Sequence, residues 1–367
     1  GGSVAGAGDV NGDGYDDILI GALFNDEGGT HAGQSYLIFG NSSDSFSMDT
    51  ALSNANASFI GEAEDDLSGC SVAGAGDVNG DGYDDILIGS TGNDEGANGA
   101  GQTYLIFGSP NYRFSMDTAL SNANASFIGE AEDDLSGCSV AGAGDVNGDG
   151  YDDIIIGAKW GHGDMGQTYL FFGNSSDSFS MGTNVSNADA SFIGEAGSDL
   201  SGCSVAGAGD VNGDGYDDIL IGAIWSDEGG TEAGQTYLFF GNSSESFSMG
   251  TNVSNADASF IGESDGDDSG ISVAGAGDVN GDEFDDILIG AYHNGEGGYY
   301  AGQTYLFFGD SSNKFSMDMN VSNADASFIG EEEKNVCGAS VAGAGDVNGD
   351  GYDDILIGAV VKGKSGM

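Results

Sequence analysis

The chain has few cysteines and few basic residues, and it lacks any apolar run near membrane length. Four cysteines in 367 residues are too few for a disulfide scaffold. Only 6 basic residues stand against 61 acidic ones, and the formal charge of −55 repels phosphate backbones, which excludes nucleic acid as a partner. The same charge excludes direct binding to anionic membranes without bridging cations. The absence of a long apolar run excludes a membrane-spanning helix within this sequence.

The acidic surplus has two explanations that composition leaves open. Bound cations would neutralise part of the field and relieve the self-repulsion that opposes a compact state. Alternatively, surplus surface acid is an adaptation to salty water. The position of the acidic residues along the chain bears on this choice, because many of them fall in one recurring loop.

One nine-residue acidic loop occurs six times and opens a longer repeated unit. The first copy is residues 9–17, and the copies begin 68, 68, 65, 68 and 68 residues apart. This period overrides the two domains expected from length and predicts one repeat domain over 1–367. The predicted units are 3–70, 71–138, 139–203, 204–271, 272–339 and a partial unit 340–367. A start without methionine and an end inside a unit predict a fragment of a longer chain.

Each complete unit contains four strand-like runs, A to D, and no helical periodicity. In the second unit, strands A, B and C are predicted at 71–76, 85–89 and 102–107; strand D of the first unit is predicted at 57–61. Strand B is continuously apolar after its first residue, as expected when both sheet faces are covered. Stacked four-stranded antiparallel sheets with radial closure give an all-β propeller, which we favour over a β-solenoid with shorter, parallel rungs.

The acidic loop offers an oxygen ligand at every second position, which is the donor set that Ca²⁺ prefers. Oxygen-only ligands argue against zinc or copper. An EF-hand is excluded because position twelve is Ile20 rather than glutamate, and strands flank the loop. The predicted ligands in the six copies are Asp9, Asn11, Asp13, Tyr15 and Asp17; Asp77, Asn79, Asp81, Tyr83 and Asp85; Asp145, Asn147, Asp149, Tyr151 and Asp153; Asp210, Asn212, Asp214, Tyr216 and Asp218; Asp278, Asn280, Asp282, Phe284 and Asp286; and Asp346, Asn348, Asp350, Tyr352 and Asp354.

The tyrosine or phenylalanine at position seven contributes its backbone carbonyl. We expect up to six Ca²⁺ sites with dissociation constants of roughly 10⁻⁴ to 10⁻³ M, as in extracellular modules. The fifth copy differs, because Glu283 stands where the others have glycine. A left-handed turn at glutamate costs roughly 1 kcal/mol, so the fifth site is predicted to be weaker or distorted.

The runs SVAGAGDVNGDGYDDILIGA and GQTYLIFG resemble FG-GAP repeats, which occur in integrin α-chain propellers and in many bacterial extracellular proteins. The resemblance covers essentially the whole chain. It implies calcium in the acidic loops and ligand binding on the propeller face away from calcium. The sequence departs from the family after strand B, where no Gly-Ala-Pro occurs. Family propellers usually have seven blades, so the blade number here stays open.

The loops between strands B and C lie at the end of the sheet opposite the acidic loops. They vary most between units and concentrate bulky residues, namely Phe24, Trp160, Trp225, Tyr292, Tyr299 and Tyr300. Either these rings cap the blade edges, or they form a contact face for protein or glycan. Eight Asn-x-Ser sequons would carry glycans in a eukaryotic secreted protein but would be ordinary turn sequence in a bacterial one.

Two functions follow as expectations. The first is a calcium-stabilised extracellular structural or adhesion protein at the cell surface, including a segment of a surface filament that assembles through its terminal strands. The alternative is a lectin-like or protein-binding propeller that uses the aromatic face. Expected partners are other protein subunits or surface glycans. No catalytic signature is present, because His31, His162 and His293 share no register, so no enzyme is predicted.

Overall fold

The computed structural model describes residues 2–42, 49–110, 114–175, 179–243, 247–312 and 314–360. Within these ranges the regular structure is almost entirely β, with short 3-10 turns before strand D. No helix in the described ranges is long and apolar enough to span a membrane. The chain divides into two compact units: Gly1–Gly144, Asp149–Gly161 and Tyr169–Ser191 form the first, and Asp145–Gly148, His162–Thr168 and Phe192–Met367 form the second.

In the first compact unit, repeats one and two each form an antiparallel sheet with the strand order A-B-C-D. A two-residue strand of the following repeat pairs in parallel with strand D. In the first sheet, for example, Thr118 of this strand lies opposite Phe59 of strand D. The strands are β1 (Ser3–Gly8), β2 (Asp17–Ala22), β3 (Gln34–Ile38), β4 (Ala57–Ile60), β5 (Ser68–Gly76), β6 (Asp85–Ser90), β7 (Gln102–Ile106), β8 (Thr118–Ala119), β9 (Ala125–Ile128), β10 (Ser139–Gly144), β11 (Asp153–Ala158) and β13 (Thr183–Asn184).

In the second compact unit, repeats four and five form sheets with the same strand order, and the sixth repeat forms a two-stranded hairpin. The third repeat divides between the two compact units: β10 pairs with β11 in the first, and Phe192 and Ile193 lie opposite Thr251 and Asn252 in the second. The remaining strands are β12 (Gln167–Phe171), β14 (Ala190–Ile193), β15 (Ser201–Gly209), β16 (Asp218–Ala223), β17 (Gln235–Phe239), β18 (Thr251–Asn252), β19 (Ala258–Ile261), β20 (Ser269–Gly277), β21 (Asp286–Ala291), β22 (Gln303–Phe307), β23 (Met319–Asn320), β24 (Ala326–Ile329), β25 (Cys337–Gly345) and β26 (Asp354–Ala359).

The 3-10 turns precede strand D in every complete repeat and cover Leu52–Asn54, Leu120–Asn122, Val185–Asn187, Val253–Asn255 and Val321–Asn323. A single helical turn, Gly161–Asp164, fills the shortened loop of the third repeat. Because His162 and Gly163 have positive φ there, it is a tight turn rather than a regular helix.

Strand B of the second to fifth repeats is buried on both faces, as its apolar sequence predicts. All six residues of β6 are buried. In the first unit, Leu19 and Phe59 of the first sheet pack in one core with Ile86 and Ile106 of the second. The fold class is confirmed: the sheets are the four-stranded antiparallel blades of a β-propeller. The parallel fifth strand was not predicted from the sequence.

Close approach between successive sheets depends on glycine at one position of strand B. A Cβ on Gly89 would lie 2.1 Å from the carbonyl oxygen of Gly137, which lies just before strand A of the next sheet and bonds to Gly157 of that sheet. The same approach recurs between Gly21 and Gly69, also at 2.1 Å. Small residues in strand A serve the same purpose, because they leave room for neighbouring backbones. The acidic loops, which join strand A to strand B, therefore lie at one end of tightly stacked sheets.

Candidate metal centre

The acidic loop is organised by its own first aspartate. Asp9 Oδ1 accepts a hydrogen bond from the backbone N–H of Asp13 at 3.0 Å, and Oδ2 accepts one from Gly14 at 2.8 Å. Asp13 Oδ1 accepts from the N–H of Tyr15 at 3.1 Å. Gly14 has φ of 90°, a conformation that residues with a Cβ resist. The same first-position bonds recur at Asp77, Asp210, Asp278 and Asp346.

The last aspartate of the loop is buried at the start of strand B. Asp17 accepts hydrogen bonds from the N–H groups of Gly40 at 2.8 Å and Val10 at 3.2 Å. Burial raises the pKa of Asp17 to about 6, against the opposing effect of these donors. Its counterparts Asp85 and Asp218 have pKa values raised by burial to about 8. A carboxylate buried in this way is stabilised in its charged form by a nearby positive charge.

The asparagine at position three leaves a buried polar atom without a partner. Asn11 Nδ2 donates to both carboxylate oxygens of Asp17, at 3.3 and 3.2 Å. Its Oδ1 is buried and has no hydrogen-bond partner among the described residues. In the fourth and fifth loops the unpartnered amide atom is Nδ2 of Asn212 and Asn280. An orphaned amide oxygen fits an oxygen-seeking cation, so the donor set of the first loop is compatible with Ca²⁺.

Hydrogen bonds link the predicted ligands of the first loop. Asp9 accepts from the backbone of Asp13 in the exposed part of the loop, and the side chain of Asn11 donates to the buried carboxylate of Asp17. Across the residues that the structure describes, no three Asp, Glu, His or Cys side chains converge to hold a metal ion. The assignment of the thirty loop positions as ligands therefore stays a prediction.

Positions seven and eight of the loop contact the preceding repeat, a role that was not predicted from the sequence. The Tyr83 ring lies over Gly12 of the first loop, where a Cβ would come within 2.4 Å of Tyr83 Cε1. Asp84 Oδ2 accepts a hydrogen bond from the N–H of Asp9 at 2.7 Å. The sequence contains a signal for this contact, because every copy of the loop ends in two aspartates and the ligand prediction uses only the second. The loops thus interlock successive repeats as well as presenting oxygens.

The fifth loop keeps its hydrogen bonds despite its glutamate. Glu283 has φ of 73°, in the left-handed region, and its N–H donates to Asp278 Oδ2 at 2.9 Å. Backbone hydrogen bonds lower the pKa of Asp278 below its usual value, although burial opposes them. The loop is therefore strained rather than rearranged, and a weaker fifth site stays a prediction that rests on this strain.

Replacing Glu283→Gly should stabilise the protein by roughly 1 kcal/mol, because the side chain no longer opposes the left-handed backbone. The reciprocal change is Gly215→Glu in the fourth loop, where φ is 90° and no atom lies within 4 Å of the position that a Cβ would occupy. It should destabilise the protein by a similar amount. Urea unfolding midpoints of both variants measure the difference. Equal midpoints for wild type and Glu283→Gly would show that the loop carries no strain.

At the opposite end of the sheets, the fifth repeat carries a column of four stacked rings. The centroids of Tyr292 and His293 are 3.8 Å apart, those of His293 and Tyr300 are 4.3 Å apart, and those of Tyr300 and Tyr299 are 4.0 Å apart. His293 Nδ1 lies 2.6 Å from Asp268 Oδ2, which anchors the column. The Tyr299 side chain is 58% exposed, so the column ends in solvent.

Comparison with known proteins supports the assignment of the repeats. The FG-GAP repeat model matches residues 1–38, 71–106, 139–171, 204–239, 269–307 and 338–363, which together make up more than half of the chain. The chain is 28% identical to integrin alpha pat-2 of Caenorhabditis briggsae over 244 residues, covering 65% of this chain and 19% of that protein. It is 28% identical to chicken integrin alpha-V over 253 residues, covering 67% of this chain and 22% of that protein.

Chicken integrin alpha-8 is 30% identical over 244 residues, covering 64% of this chain and 21% of that protein. The chain therefore spans about a fifth of the length of these relatives. The first five matches fall on strands A, B and C and the sixth on strands A and B, and all six include the acidic loop between A and B. With this repeated architecture, the chain belongs to the FG-GAP repeat family.

Proposed function

We propose that this chain is a calcium-stabilised structural or adhesion protein of the cell surface. The observation that carries the proposal is the acidic loop, present six times in register, with an exposed carboxylate at position five and a carboxylate at position nine that is buried in the complete repeats. Family membership and the integrin alpha relatives support an extracellular, adhesion-type role. An interlocked stack of rigid sheets suits a spacer, a subunit of a surface filament or a segment of a large surface protein.

The chain's own residues would hold the ion at the outer part of each loop. In the first loop, these are the carboxylates of Asp9 and Asp13 and the unpartnered amide oxygen of Asn11, with Asp17 behind them. The ion would supply positive charge that neutralises these groups. Asp9 keeps the loop in one conformation by accepting from two backbone amides, so the oxygens need little reorganisation on binding.

Counting bound calcium tests this proposal. Equilibrium dialysis of the chain against millimolar Ca²⁺, followed by elemental analysis, should give several ions per chain and up to six. Asp13→Asn removes one charged ligand while its side-chain oxygen can still accept from Tyr15, and it should lower the count by about one. A chain that binds no calcium under these conditions contradicts the proposal and leaves salt adaptation as the explanation of the acidic residues.

The proposed partners follow from the same surface. A formal charge of −55 disfavours nucleic acid and anionic membranes, whereas protein subunits and surface glycans fit a non-enzymatic, adhesion-type protein. Self-assembly through the terminal repeats would build a filament.

A second candidate function is glycan or protein binding through the stacked rings of the fifth repeat. The exposed Tyr299 ring ends a rigid column that is fixed by the contact of His293 with Asp268. A preformed aromatic platform of this kind packs against the apolar face of a sugar ring or a partner side chain at low entropic cost.

Binding to a panel of neutral oligosaccharides tests this second function. Tyr299→Ala removes the ring that contacts the sugar and should reduce affinity at least about tenfold, which corresponds to about 1.4 kcal/mol. Tyr299→Phe retains the ring and should bind as wild type does. If neither the wild type nor Tyr299→Phe binds any member of the panel, the glycan-binding function is excluded for that panel.

A further inference from the structure

We propose that the aspartate at position eight of each acidic loop is a positioning residue for the calcium site of the preceding loop. Asp84 of the second loop, for example, holds the backbone of Asp9 in the first. Because position eight lies between two predicted ligands of its own loop, neighbouring sites would bind calcium cooperatively. The inference rests on the calcium binding proposed above and adds a dependence of each site on the following repeat.

The contact is a hydrogen bond to the backbone of the first aspartate of the preceding loop. Asp84 Oδ2 accepts the N–H of Asp9 at 2.7 Å. The bond occurs in five successive pairs of loops at 2.7–3.0 Å, and the other four pairs are Asp152 and Asp77, Asp217 and Asp145, Asp285 and Asp210, and Asp353 and Asp278. The contact is therefore a property of the repeat and not of one copy.

The backbone of the first aspartate is also held on its carbonyl side. In four pairs of loops, the N–H of the position-eight aspartate donates to the carbonyl oxygen of the first aspartate, as Asp353 does to Asp278 at 3.1 Å. The residue after strand C donates to the carbonyl at position two of the preceding loop, as Ser109 does to Val10 at 2.8 Å. The following repeat thus fixes the chain on both sides of the first aspartate.

The position-eight carboxylate reaches this backbone because a glycine precedes the first aspartate. Gly8 has φ of 69°, and a Cβ on it would lie 2.1 Å from Asp84 Oδ2. The equivalent carboxylate approaches Gly76, Gly209 and Gly277 in the same way, at 2.1–2.2 Å from the position of a Cβ. A side chain at this glycine would therefore exclude the carboxylate of the next repeat.

The residue that Asp84 holds is the one that organises the first loop. Asp9 accepts hydrogen bonds from the N–H groups of Asp13 and Gly14 at 3.0 and 2.8 Å, and it is itself a predicted ligand. Release of its backbone would displace its carboxylate and free both of these amides. Because a preorganised set of ligands loses less conformational freedom on binding, anchoring Asp9 from the next repeat should tighten the first site.

The other end of the contact belongs to the second site. Asp84 stands between Tyr83, whose carbonyl is a predicted ligand, and Asp85, whose carboxylate is another. Calcium held by these two neighbours would restrict Asp84, so an occupied second site favours the ordered first loop. The coupling is reciprocal by thermodynamic linkage. Each site therefore depends on the next in the manner of nearest-neighbour terms in a repeat array.

Hydrogen exchange measured by mass spectrometry across a calcium titration tests the inference one loop at a time. Peptides that extend from the first loop to Leu23 are distinguished from the other copies by that residue. The amides of Asp13 and Gly14 in these peptides report the order of the loop. The full chain is used in high salt, which screens long-range effects of charge on calcium binding.

Asp84→Ala should raise the calcium midpoint of the first loop about tenfold, which is the effect of losing one hydrogen bond of ordinary net strength. Asp84→Asn loses the same charge but keeps an oxygen that accepts from Asp9, so its midpoint should stay close to that of wild type. Asp81→Asn weakens the second site and should also raise the midpoint of the first. Asp94→Asn removes an equal charge from the other end of the same sheet and should leave this midpoint unchanged.

The inference is overturned if Asp84→Ala or Asp81→Asn leaves the midpoint of the first loop unchanged. It is also overturned if Asp84→Asn shifts the midpoint as far as Asp84→Ala, because charge alone then explains the effect. Circular dichroism establishes that each variant is folded. If Asp84→Ala does not fold, Asp285→Ala tests the equivalent contact with Asp210, in peptides of the fourth loop that extend to Trp225.

The same titration separates this inference from the calcium proposal on which it rests. If no loop of the wild-type chain gains protection with calcium, the calcium proposal fails and the coupling fails with it. If the loops gain protection with calcium but their midpoints are the same in every variant, calcium binding stands and only the coupling is overturned.

Discussion

Calcium should raise the melting temperature of this protein strongly. A ligand that binds only the folded state stabilises it by mass action, and at about 10 mM Ca²⁺ a site with the expected dissociation constant contributes roughly 1.4–2.7 kcal/mol. Several such sites act together, so calcium should raise the melting temperature by on the order of 10 °C or more. The physical source is the charge of the loops, where the carboxylate of Asp17 is buried and that burial raises its pKa to about 6.

The controls separate calcium binding from a general effect of salt. Sodium chloride at equal ionic strength should give a much smaller increase, and so should Mg²⁺, which demands a tighter octahedral shell. Asp81→Asn in the second loop should reduce the calcium-dependent rise in melting temperature by about the contribution of one site. Asp94→Asn removes the same charge from a loop at the other end of that sheet and should leave the increment unchanged. Equal increases with sodium and calcium would favour salt adaptation over specific sites.

Gly89→Ala should destabilise the protein severely. The added Cβ would lie 2.1 Å from the carbonyl oxygen of Gly137, and this oxygen belongs to backbone that cannot move without separating two sheets. Overpacking of a core costs roughly 1–3 kcal/mol when side chains can adjust, and a clash with backbone should reach or exceed that range. Chemical denaturation monitored by circular dichroism measures the loss.

The sixth repeat supplies a matched control for this substitution. Gly358 occupies the same position of strand B, but a Cβ there would meet its nearest atom, the Ser340 oxygen, at 3.3 Å. Gly358→Ala should therefore change the unfolding midpoint little. If the two alanine variants unfold alike, glycine at this position does not set the spacing between sheets.

The strands could be predicted because their pattern is local and is repeated. Strand B at 85–89 was predicted from a continuous apolar run, and the structure places β6 at Asp85–Ser90. Six copies of one pattern reduce the ambiguity that a single short apolar run carries. The stacking of sheets followed from the same residues, since a strand that is apolar on both faces must be covered on both.

Features that depend on contacts between repeats could not be predicted in this way. The parallel strand β8 (Thr118–Ala119) has two residues and no hydrophobic pattern, and it exists because strand D of the preceding repeat is beside it. The role of Asp84 is of the same kind, because its hydrogen-bond partner is 75 residues away. Burial of Asp17 was also missed, since the sequence places it in a loop that looks uniformly polar.

A crystal structure of the chain grown in calcium, with anomalous scattering used to locate the ions, tests the central claim most directly. We expect an anomalous peak within each well-formed acidic loop, coordinated by oxygens of the first, third and fifth positions, as at Asp9, Asn11 and Asp13. The peak in the fifth loop should be the weakest, because Glu283 strains that turn. Loops that hold only water at millimolar calcium, with their carboxylates bonded to backbone amides alone, would contradict the account.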